Sequence, residues 1–400
     1  MITMQRFLMI KVVWVDMFNY IRIFFITLLS LNVLLVCDDP INAPLNKLEA
    51  ETQKEKYFEA HRAKILANRT EEMEKNLIVI QDKEMKFDLQ FFGTKPKSGW
   101  ALYFSLHGGG GVPDSLNESQ WNRHKTLYNI KEGALLVPRS PTNTWNMWHQ
   151  DHIDMFFDRL IQNMIVFHNV DPNRIYLMGY SAGGDGVYQL APRMADRFAA
   201  AAMMAGHPNE TSPIGLRNIA FTIHMGENDS AYDRNNVAID WGKQLKILRE
   251  NDKNGYSHLV KIHQDKGHWM GGLDSSAISW ISAFDRNPFP KRVVWKQDDV
   301  THNRFYWLAV DKPDSNAILI ANINKQTVNI EKTTVKDFII RLNDHLVDMD
   351  KRVIVRYLGE EIFNGIVPRS TRVISSSIEE YGDPESVYFG EIPISLKLNE

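Results

Sequence analysis

The residue best placed to do chemistry is Ser181, at the centre of the pentapeptide Gly179-Tyr-Ser-Ala-Gly183. An apolar run over residues 174–178 predicts a strand before it, and residues 187–190 continue a helix after it. A serine on a sharp strand-to-helix turn is held in a strained conformation that exposes its hydroxyl above the sheet. The two glycines remove Cβ atoms that would collide where strand and helix pass closely. The pattern predicts Ser181 as a nucleophile, against the alternative of an ordinary glycine-bearing turn.

A glycine run follows a second apolar strand, residues 100–106, and begins directly after His107. A serine enzyme that transfers acyl groups must stabilise an oxyanion, and backbone N–H groups at glycines can approach it closely. We expect one donor from Ala182 and the other from the Gly108–Gly109 turn. A hinge or a phosphate-binding loop is the alternative. A Walker-type loop needs Lys-Ser or Lys-Thr after the glycines, whereas Val-Pro-Asp follows here.

An acid and a histidine should follow the nucleophile in that order. Asp229 lies just past the carboxyl end of a strand over residues 219–226, and His268 lies in a loop after the strand 258–263. Histidine at that point can take the serine proton, and the acid can hold the ring in the useful tautomer. The alternatives are three other acids and one other base: Asp233, Asp265, Glu227 and His263.

Together these motifs are similar to those of the α/β-hydrolases: the His-Gly-Gly-Gly run, Gly-x-Ser-x-Gly, His224-x-Gly-x-x-Asp and Gly267-His. Within that superfamily the chain resembles the esterases that include polyhydroxybutyrate depolymerases, feruloyl esterases and acetylxylan esterases. The prolyl-oligopeptidase catalytic core is a close relative. The resemblance covers about residues 76–288 and implies nucleophile Ser181, base His268 and acid Asp229. Many depolymerases carry a cysteine in the oxyanion loop, where this chain has glycines.

Side chains beside these motifs are expected to contact the substrate. They include two tryptophans of the loop over residues 140–152, whose faces suit sugar or aromatic rings, although packing of the loop is an equal alternative. The expected contacts are His107, Trp145, Trp148, Tyr180 and Trp269. Nearby His149, Asp151 and His152 carry metal-binding side chains, but adjacent residues rarely point at one ion. We expect no metal and no cofactor, because a serine triad needs neither.

Alternating strands and helices predict an α/β fold with a mostly parallel sheet covered on both faces. We divide the chain into four parts. These are a signal peptide or lipoprotein anchor (1–37), a charged, solvated helical linker (38–75), the α/β-hydrolase domain (76–288) and a β-sandwich-like accessory domain (289–400). The last part shows short strands, including one over residues 304–310 and a hairpin through Gly359. We expect it to brace the catalytic domain.

The composition and the N-terminal residues indicate which partners and which location to expect. A net charge of −3 gives no reason to bind nucleic acid, and the single cysteine, Cys37, excludes an intrachain disulfide. A short apolar run over residues 23–36 has the size of a signal-peptide core. Residues 34–37 resemble a loose lipobox, so the enzyme is expected to be secreted or membrane-anchored. The oligomeric state is not readable.

The function predicted from these residues is hydrolysis of carboxylic esters through a Ser-Asp-His triad. The short connection between residues 204 and 219 leaves little room for a lid, which favours a bulky or carbohydrate-linked substrate. A serine peptidase and an inactive binding protein on the same fold are the alternatives.

Overall fold

Eight strands form the central sheet of the computed structural model, which describes residues 44–397, and six neighbouring strands are paired in parallel. The spatial order is β1-β2-β4-β3-β5-β6-β7-β8, and only the β1–β2 and β2–β4 pairs are antiparallel. The strands are β1 (Leu77–Ile80), β2 (Lys83–Phe92), β3 (Trp100–Leu106), β4 (Gly133–Pro138), β5 (Val170–Tyr180), β6 (Ala200–Met204), β7 (Ala220–Gly226) and β8 (His258–His263).

The helices between these strands cover both faces of the sheet. They are α2 (Asp114–Leu127), α3 (Asp151–His168), α4 (Ala182–Arg193), α5 (Arg234–Asn251) and α6 (Ser276–Ile281). Because successive side chains of a strand point to opposite faces, β3 sends Leu102 and Phe104 into a core shared with α3, α4 and α5. Its Ala101 and Tyr103 enter a second core with α2 and α6. The predicted α/β-hydrolase fold is confirmed.

The strand register brings the segments that carry His107, Ser181, Asp229 and His268 to one edge of the sheet. Leu106 of β3 pairs with Gly179 of β5, Tyr180 pairs with Met204 of β6, and Gly226 of β7 pairs with His263 of β8. The carboxyl ends of parallel strands therefore align, and the loops after β3, β5, β7 and β8 meet above the sheet. Ligands of open α/β sheets bind at this edge.

Two further sheets follow the catalytic region. A four-stranded sheet has the order β10-β11-β14-β17, and a five-stranded sheet has the order β16-β15-β13-β12-β9. Their elements are β9 (Arg292–Lys296), β10 (Arg304–Phe305), β11 (Leu308–Ala309), β12 (Ile318–Asn324), β13 (Thr327–Thr333), β14 (Asp337–Leu342), β15 (Val353–Tyr357), β16 (Glu360–Gly365), α7 (Thr371–Tyr381) and β17 (Gly390–Ser395).

The expected single strand over residues 304–310 is wrong. The chain reverses between β10 and β11, because Tyr306 adopts a left-handed conformation with φ 52°. Its hydroxyl donates to the carbonyl of Ala195 at 2.8 Å, and the Trp307 indole donates to the carbonyl of Pro290 at 2.7 Å. Both aromatic side chains are buried and bind the turn to the rest of the protein.

The C-terminal sheets are attached to the catalytic region by buried ion pairs and a shared core. Arg286 contacts Asp383 at 2.6 Å, with both side chains 1% exposed. Asp154 of α3 accepts from His302 at 2.7 Å, and Arg304 contacts Asp158 at 3.0 Å. From residue 44 onward the chain forms one compact unit.

The charged helix before the catalytic region, α1 (Lys47–Lys75), is not a free solvated linker. It begins at a capping box formed by Asn46 and Glu49. On α1, Glu72 forms a salt bridge with Arg159 of α3, and Arg69 donates to Gln162 at 3.1 Å. The helix also packs against α7. The predicted signal run 23–36 and Cys37 lie outside the described residues. Between residues 44 and 397, no helix is long and apolar enough to cross a membrane.

Candidate active site

Ser181 lies on the turn between β5 and α4 in a strained conformation, with φ 59° and ψ −125°. The flanking glycines are required by contact. A Cβ on Gly183 would lie 2.0 Å from the carbonyl oxygen of Leu106, and a Cβ on Gly179 would lie 2.2 Å from the carbonyl oxygen of Gly183. The N–H of Ser181 donates to Met204 at 2.9 Å, which fixes the turn to the neighbouring strand. This is the geometry of a nucleophile elbow.

His268 connects Ser181 to Asp229. Its Nε2 lies 2.9 Å from the Ser181 Oγ, and its Nδ1 lies 2.8 Å from the Asp229 Oδ2. A carboxylate can only accept, so Nδ1 carries the proton and Nε2 is free to accept from the serine hydroxyl. The order nucleophile–base–acid is the one that activates a serine.

The other candidate acids and base lie elsewhere. Glu227 accepts from the Asp265 N–H at 3.0 Å, and Asp233 accepts from Asn236 at 2.6 Å. His263 contacts the Nδ1 of His224 at 3.2 Å through its Nε2. Across residues 44–397, Asp229 is the carboxylate that hydrogen-bonds to His268.

The acid is held below the surface. The Asp229 side chain is 2% exposed, and its second oxygen lies 3.7 Å from the guanidinium of Arg234. Its backbone carbonyl accepts from the Asn235 N–H at 3.1 Å at the start of α5. A buried carboxylate fixed on both sides presents one oxygen to His268 in a constant orientation.

His107 shapes the oxyanion loop and does not line the cleft. Its Nδ1 donates to the Gly108 carbonyl at 2.7 Å, and its Nε2 accepts from the Ser140 N–H at 3.2 Å. These two bonds require the neutral ring, since one nitrogen must donate and the other accept. Burial agrees, because it lowers the pKa of His107 to about 3.

The glycine loop approaches the nucleophile directly. A Cβ on Gly108 would lie 3.2 Å from the Cβ of Ser181. Gly109 and Gly110 have φ 115° and 101°, a region in which side chains are strained. Ala182 opens α4, and the first N–H groups of a helix have no acceptor within it. The Ala182 and Gly108–Gly109 backbones therefore border the space in which an oxyanion would form.

Asn117 of α2 fixes the loop from behind, a role that sequence reasoning missed. Its Oδ1 accepts from the Gly110 N–H at 2.9 Å, and its Nδ2 donates to the Gly110 carbonyl at 3.0 Å. It is fully buried. A Cβ on Gly109 would lie 2.0 Å from this side chain, which explains why that position is glycine.

Three of the five expected substrate contacts do not line the cleft at Ser181. Trp148 and His107 are fully buried, and the Trp148 indole donates to the His107 carbonyl at 3.0 Å. A Cβ on Gly186 would lie 2.5 Å from the Trp148 Cβ, so this tryptophan packs between the oxyanion loop and α4. Trp145 is 63% exposed and lies beside Gly110, but it does not line the cleft at Ser181.

A cleft of about 370 Å³ opens over Ser181 and His268. The expected contacts Tyr180 and Trp269 line one side. The opposite side comes from Gly109, Val112 and the face of α2 that carries Leu116, Gln120, Arg123, His124 and Leu127. These α2 residues were not predicted, although their spacing is that of one helix face.

Three acidic side chains have oxygens within 4.8 Å of one another: Glu210, Asp298 and Asp299. They lie outside the residues that line the Ser181 cleft. Exposed acidic groups of this kind are common without an ion, and no step at the triad calls on them.

The central region of the chain is similar to known hydrolases. Residues 135–270 match the Dienelactone hydrolase family. The chain is 33% identical over 140 residues to the bifunctional acetylxylan esterase/xylanase XynS20E of Neocallimastix patriciarum, an alignment that covers 34% of this chain. It spans 20% of the length of that relative. The predicted resemblance to α/β-hydrolases of the esterase type is confirmed.

Two solved structures of low sequence identity each align with about half of the chain. A thermostable esterase is 19% identical with a TM-score of 0.40, covering 53% of this chain and 63% of its own. A ferulic acid esterase of the anaerobic fungus Anaeromyces mucronatus is 15% identical with a TM-score of 0.38, covering 52% of this chain and 88% of its own.

Proposed function

We propose that this chain, whose residues 135–270 match the Dienelactone hydrolase family, is a serine hydrolase that cleaves carboxylic esters through an acyl-enzyme. The observation that carries the proposal is the continuous chain of hydrogen bonds from Asp229 through His268 to the strained Ser181. The glycine loop beside Ser181 completes the set of groups that acyl transfer requires.

The proposed reaction has two halves. The Ser181 Oγ attacks the ester carbonyl while the Nε2 of His268 takes its proton, and backbone N–H groups of Ala182 and the Gly108–Gly109 turn bind the oxyanion. His268 then gives the proton to the leaving alkoxide, which departs as an alcohol. Water then attacks the acyl-enzyme while the same nitrogen takes its proton. The bond between the acyl carbon and the Ser181 Oγ breaks as His268 returns that proton to the Oγ, and the carboxylic acid is released.

We further infer that the substrate is bulky or carbohydrate-linked. The connection between β6 and β7 contains only the short 3₁₀ helix Pro213–Asn218, so no long insertion covers the cleft from that side. The rim carries Trp269, which is 47% exposed and suited to stacking on a ring. The relative described above is named as an acetylxylan esterase, which supports the same substrate class.

Pre-steady-state hydrolysis of 4-nitrophenyl acetate tests the proposal. We expect a burst of one nitrophenolate per protein followed by slower turnover, as an acyl-enzyme requires. Ser181→Ala and His268→Ala should lower kcat by roughly 10³-fold or more. Ser279→Ala, which removes an exposed hydroxyl from α6, is the matched control and should keep full activity. Hydrolysis of acetylated xylan compared with an equivalent amide then separates an esterase from a peptidase. Turnover by Ser181→Ala at the wild-type rate would contradict the proposal.

We also propose that the enzyme is exported, either cleaved after the apolar run 23–36 or lipidated at Cys37. Mass measurement of the protein isolated from its producing cells decides between them. Loss of the first residues with an unmodified new N-terminus indicates secretion, and an added diacylglycerol mass that disappears in Cys37→Ala indicates a lipid anchor. A full-length N-terminus on cytosolic protein would overturn the proposal.

A further inference from the structure

Arg123 projects from α2 into the cleft that contains Ser181 and His268. Its guanidinium has no salt-bridge partner between residues 44 and 397, whereas other arginines near the site do have carboxylates. Arg139 contacts Asp114 at 2.9 Å, and Arg234 lies 3.7 Å from Asp229. The five N–H donors of an arginine are strong binders of carboxylates, because the flat fork matches two oxygens at once.

The Arg123 side chain is held in place by an aromatic ring. Its guanidinium carbon lies 4.4 Å from the ring centre of Trp269, a distance typical of a cation–π contact. Trp269 follows His268 in the chain, and its ring lies 5.7 Å from that of Tyr180. The Tyr180 hydroxyl in turn accepts from the Met270 N–H at 3.1 Å. Stacking therefore orients the guanidinium while leaving the edges of the fork free to donate.

Among residues 44–397, no acidic side chain lines the cleft that Arg123 enters. The triad acid Asp229 is 2% exposed behind His268. Neutral and apolar side chains of α2 line the same cleft, among them Leu116, Gln120 and Leu127. A cleft of one sign with apolar walls concentrates ligands of the opposite charge.

From this arrangement we infer that Arg123 is a specificity-determining residue and that the enzyme prefers esters bearing a carboxylate close to the scissile bond. The inference rests on the proposed ester hydrolysis and narrows its substrate class. The shared chemistry is the carboxylate, which can belong either to the acyl part or to the alcohol part of the ester.

Two matched pairs of substrates test the preference and separate the two sources. Mono-4-nitrophenyl adipate against 4-nitrophenyl hexanoate places the charge on the acyl side. 4-Acetoxybenzoate against its methyl ester places the charge on the alcohol side. We expect kcat/KM for the charged member of at least one pair to exceed that of the neutral member about tenfold or more. The pair that shows the preference identifies the side on which the carboxylate binds.

Arg123→Gln should abolish that ratio, and Arg123→Lys should retain part of it, because lysine keeps the charge but loses the planar fork. The exposed Arg356→Gln is the control and should leave the ratio unchanged. Raising the salt concentration should reduce the wild-type preference. An equal ratio in wild type and Arg123→Gln, or no preference in either pair, would overturn the inference.

A binding measurement keeps the test independent of turnover. In the Ser181→Ala protein, calorimetry should show mono-4-nitrophenyl adipate binding at least fivefold more tightly than 4-nitrophenyl hexanoate, and the difference should vanish when Arg123→Gln is added. A preference in binding without hydrolysis by the unmutated protein would refute the proposed function and support the anion site. Hydrolysis without any preference would do the reverse.

Discussion

The hydroxyl of Tyr180 donates a hydrogen bond to the backbone carbonyl of His268 at 2.5 Å. Tyr180 directly precedes Ser181, the proposed nucleophile, and His268 is the proposed base. The same hydroxyl accepts from the Met270 N–H, so one side chain fixes the loop of the base on both sides of Trp269. The strand that ends in the nucleophile thus sets the position of the base directly.

Tyr180→Phe removes this connection and keeps the ring. We expect kcat for 4-nitrophenyl acetate to fall about tenfold with KM changed less than threefold, because the loop of His268 loses its positioning bonds. Unchanged kcat in the folded variant would show that the loop is held by other contacts.

Gly183 and Gly267 make a matched pair of glycines. Gly183→Ala should cost roughly 3 kcal/mol or more in the free energy of unfolding, since its Cβ would lie 2.0 Å from a backbone oxygen that cannot move aside. Gly267→Ala meets no atom within 4 Å and should change the stability by less than about 0.5 kcal/mol. Urea unfolding of both variants is the measurement. Equal stability of the two variants would mean that the backbone around Gly183 can move to accept a Cβ.

Asn117 does not line the cleft, but we expect its substitution to affect catalysis. Asn117→Ala removes both bonds to Gly110, so the oxyanion loop should lose its fixed shape. We expect kcat to fall about tenfold to hundredfold with a smaller change in KM. Asn122→Ala, on the exposed face of the same helix, should behave as wild type. Equal kcat for the two variants would show that Asn117 is dispensable.

Buried histidines make the protein sensitive to acid. Burial lowers the pKa values of His107, His124 and His224 to about 3. Between pH 6.5 and about 3 the unfolded chain therefore binds protons that the folded chain excludes, so stability is present above pH 6.5 and is lost as the pH falls. Three such groups predict a slope of at most about 4 kcal/mol per pH unit.

Urea unfolding at several pH values between 4 and 7 measures this slope. His124→Gln should reduce it by about 1.4 kcal/mol per pH unit, the share of one proton. A stability that does not change with pH over this range would show that the three rings are protonated in the folded protein.

Local patterns were enough to select Ser181, Asp229 and His268, the three residues that the structure joins by hydrogen bonds. Close contacts around Ser181 require glycine in the elbow and in the run after His107. These glycines can therefore be recognised in the sequence. The apolar strands around them predict a mostly parallel sheet, and parallel strands bring their carboxyl ends to one edge.

The substrate side of the cleft could not be predicted, because its contacts join distant parts of the chain. The role inferred for Arg123 depends on its contact with Trp269, and the role of Asn117 depends on its bonds to Gly110. The sequence pattern of a helix shows neither contact. Trp148 was misplaced for the same reason, since an aromatic residue in a loop looks identical whether it packs inward or faces solvent. The turn at Tyr306 depends on a bond to Ala195, more than a hundred residues away.

The central claim is that Ser181 is an activated nucleophile, and a fluorophosphonate probe tests it most directly. Protein beginning at residue 38 is treated with the probe beside Ser181→Ala and His268→Ala, and the labelled peptide is located by mass spectrometry. The account predicts one label, on Ser181, with loss of labelling in Ser181→Ala and a rate reduced at least a hundredfold in His268→Ala. Absence of label from the folded protein, or a label on another serine, would contradict it.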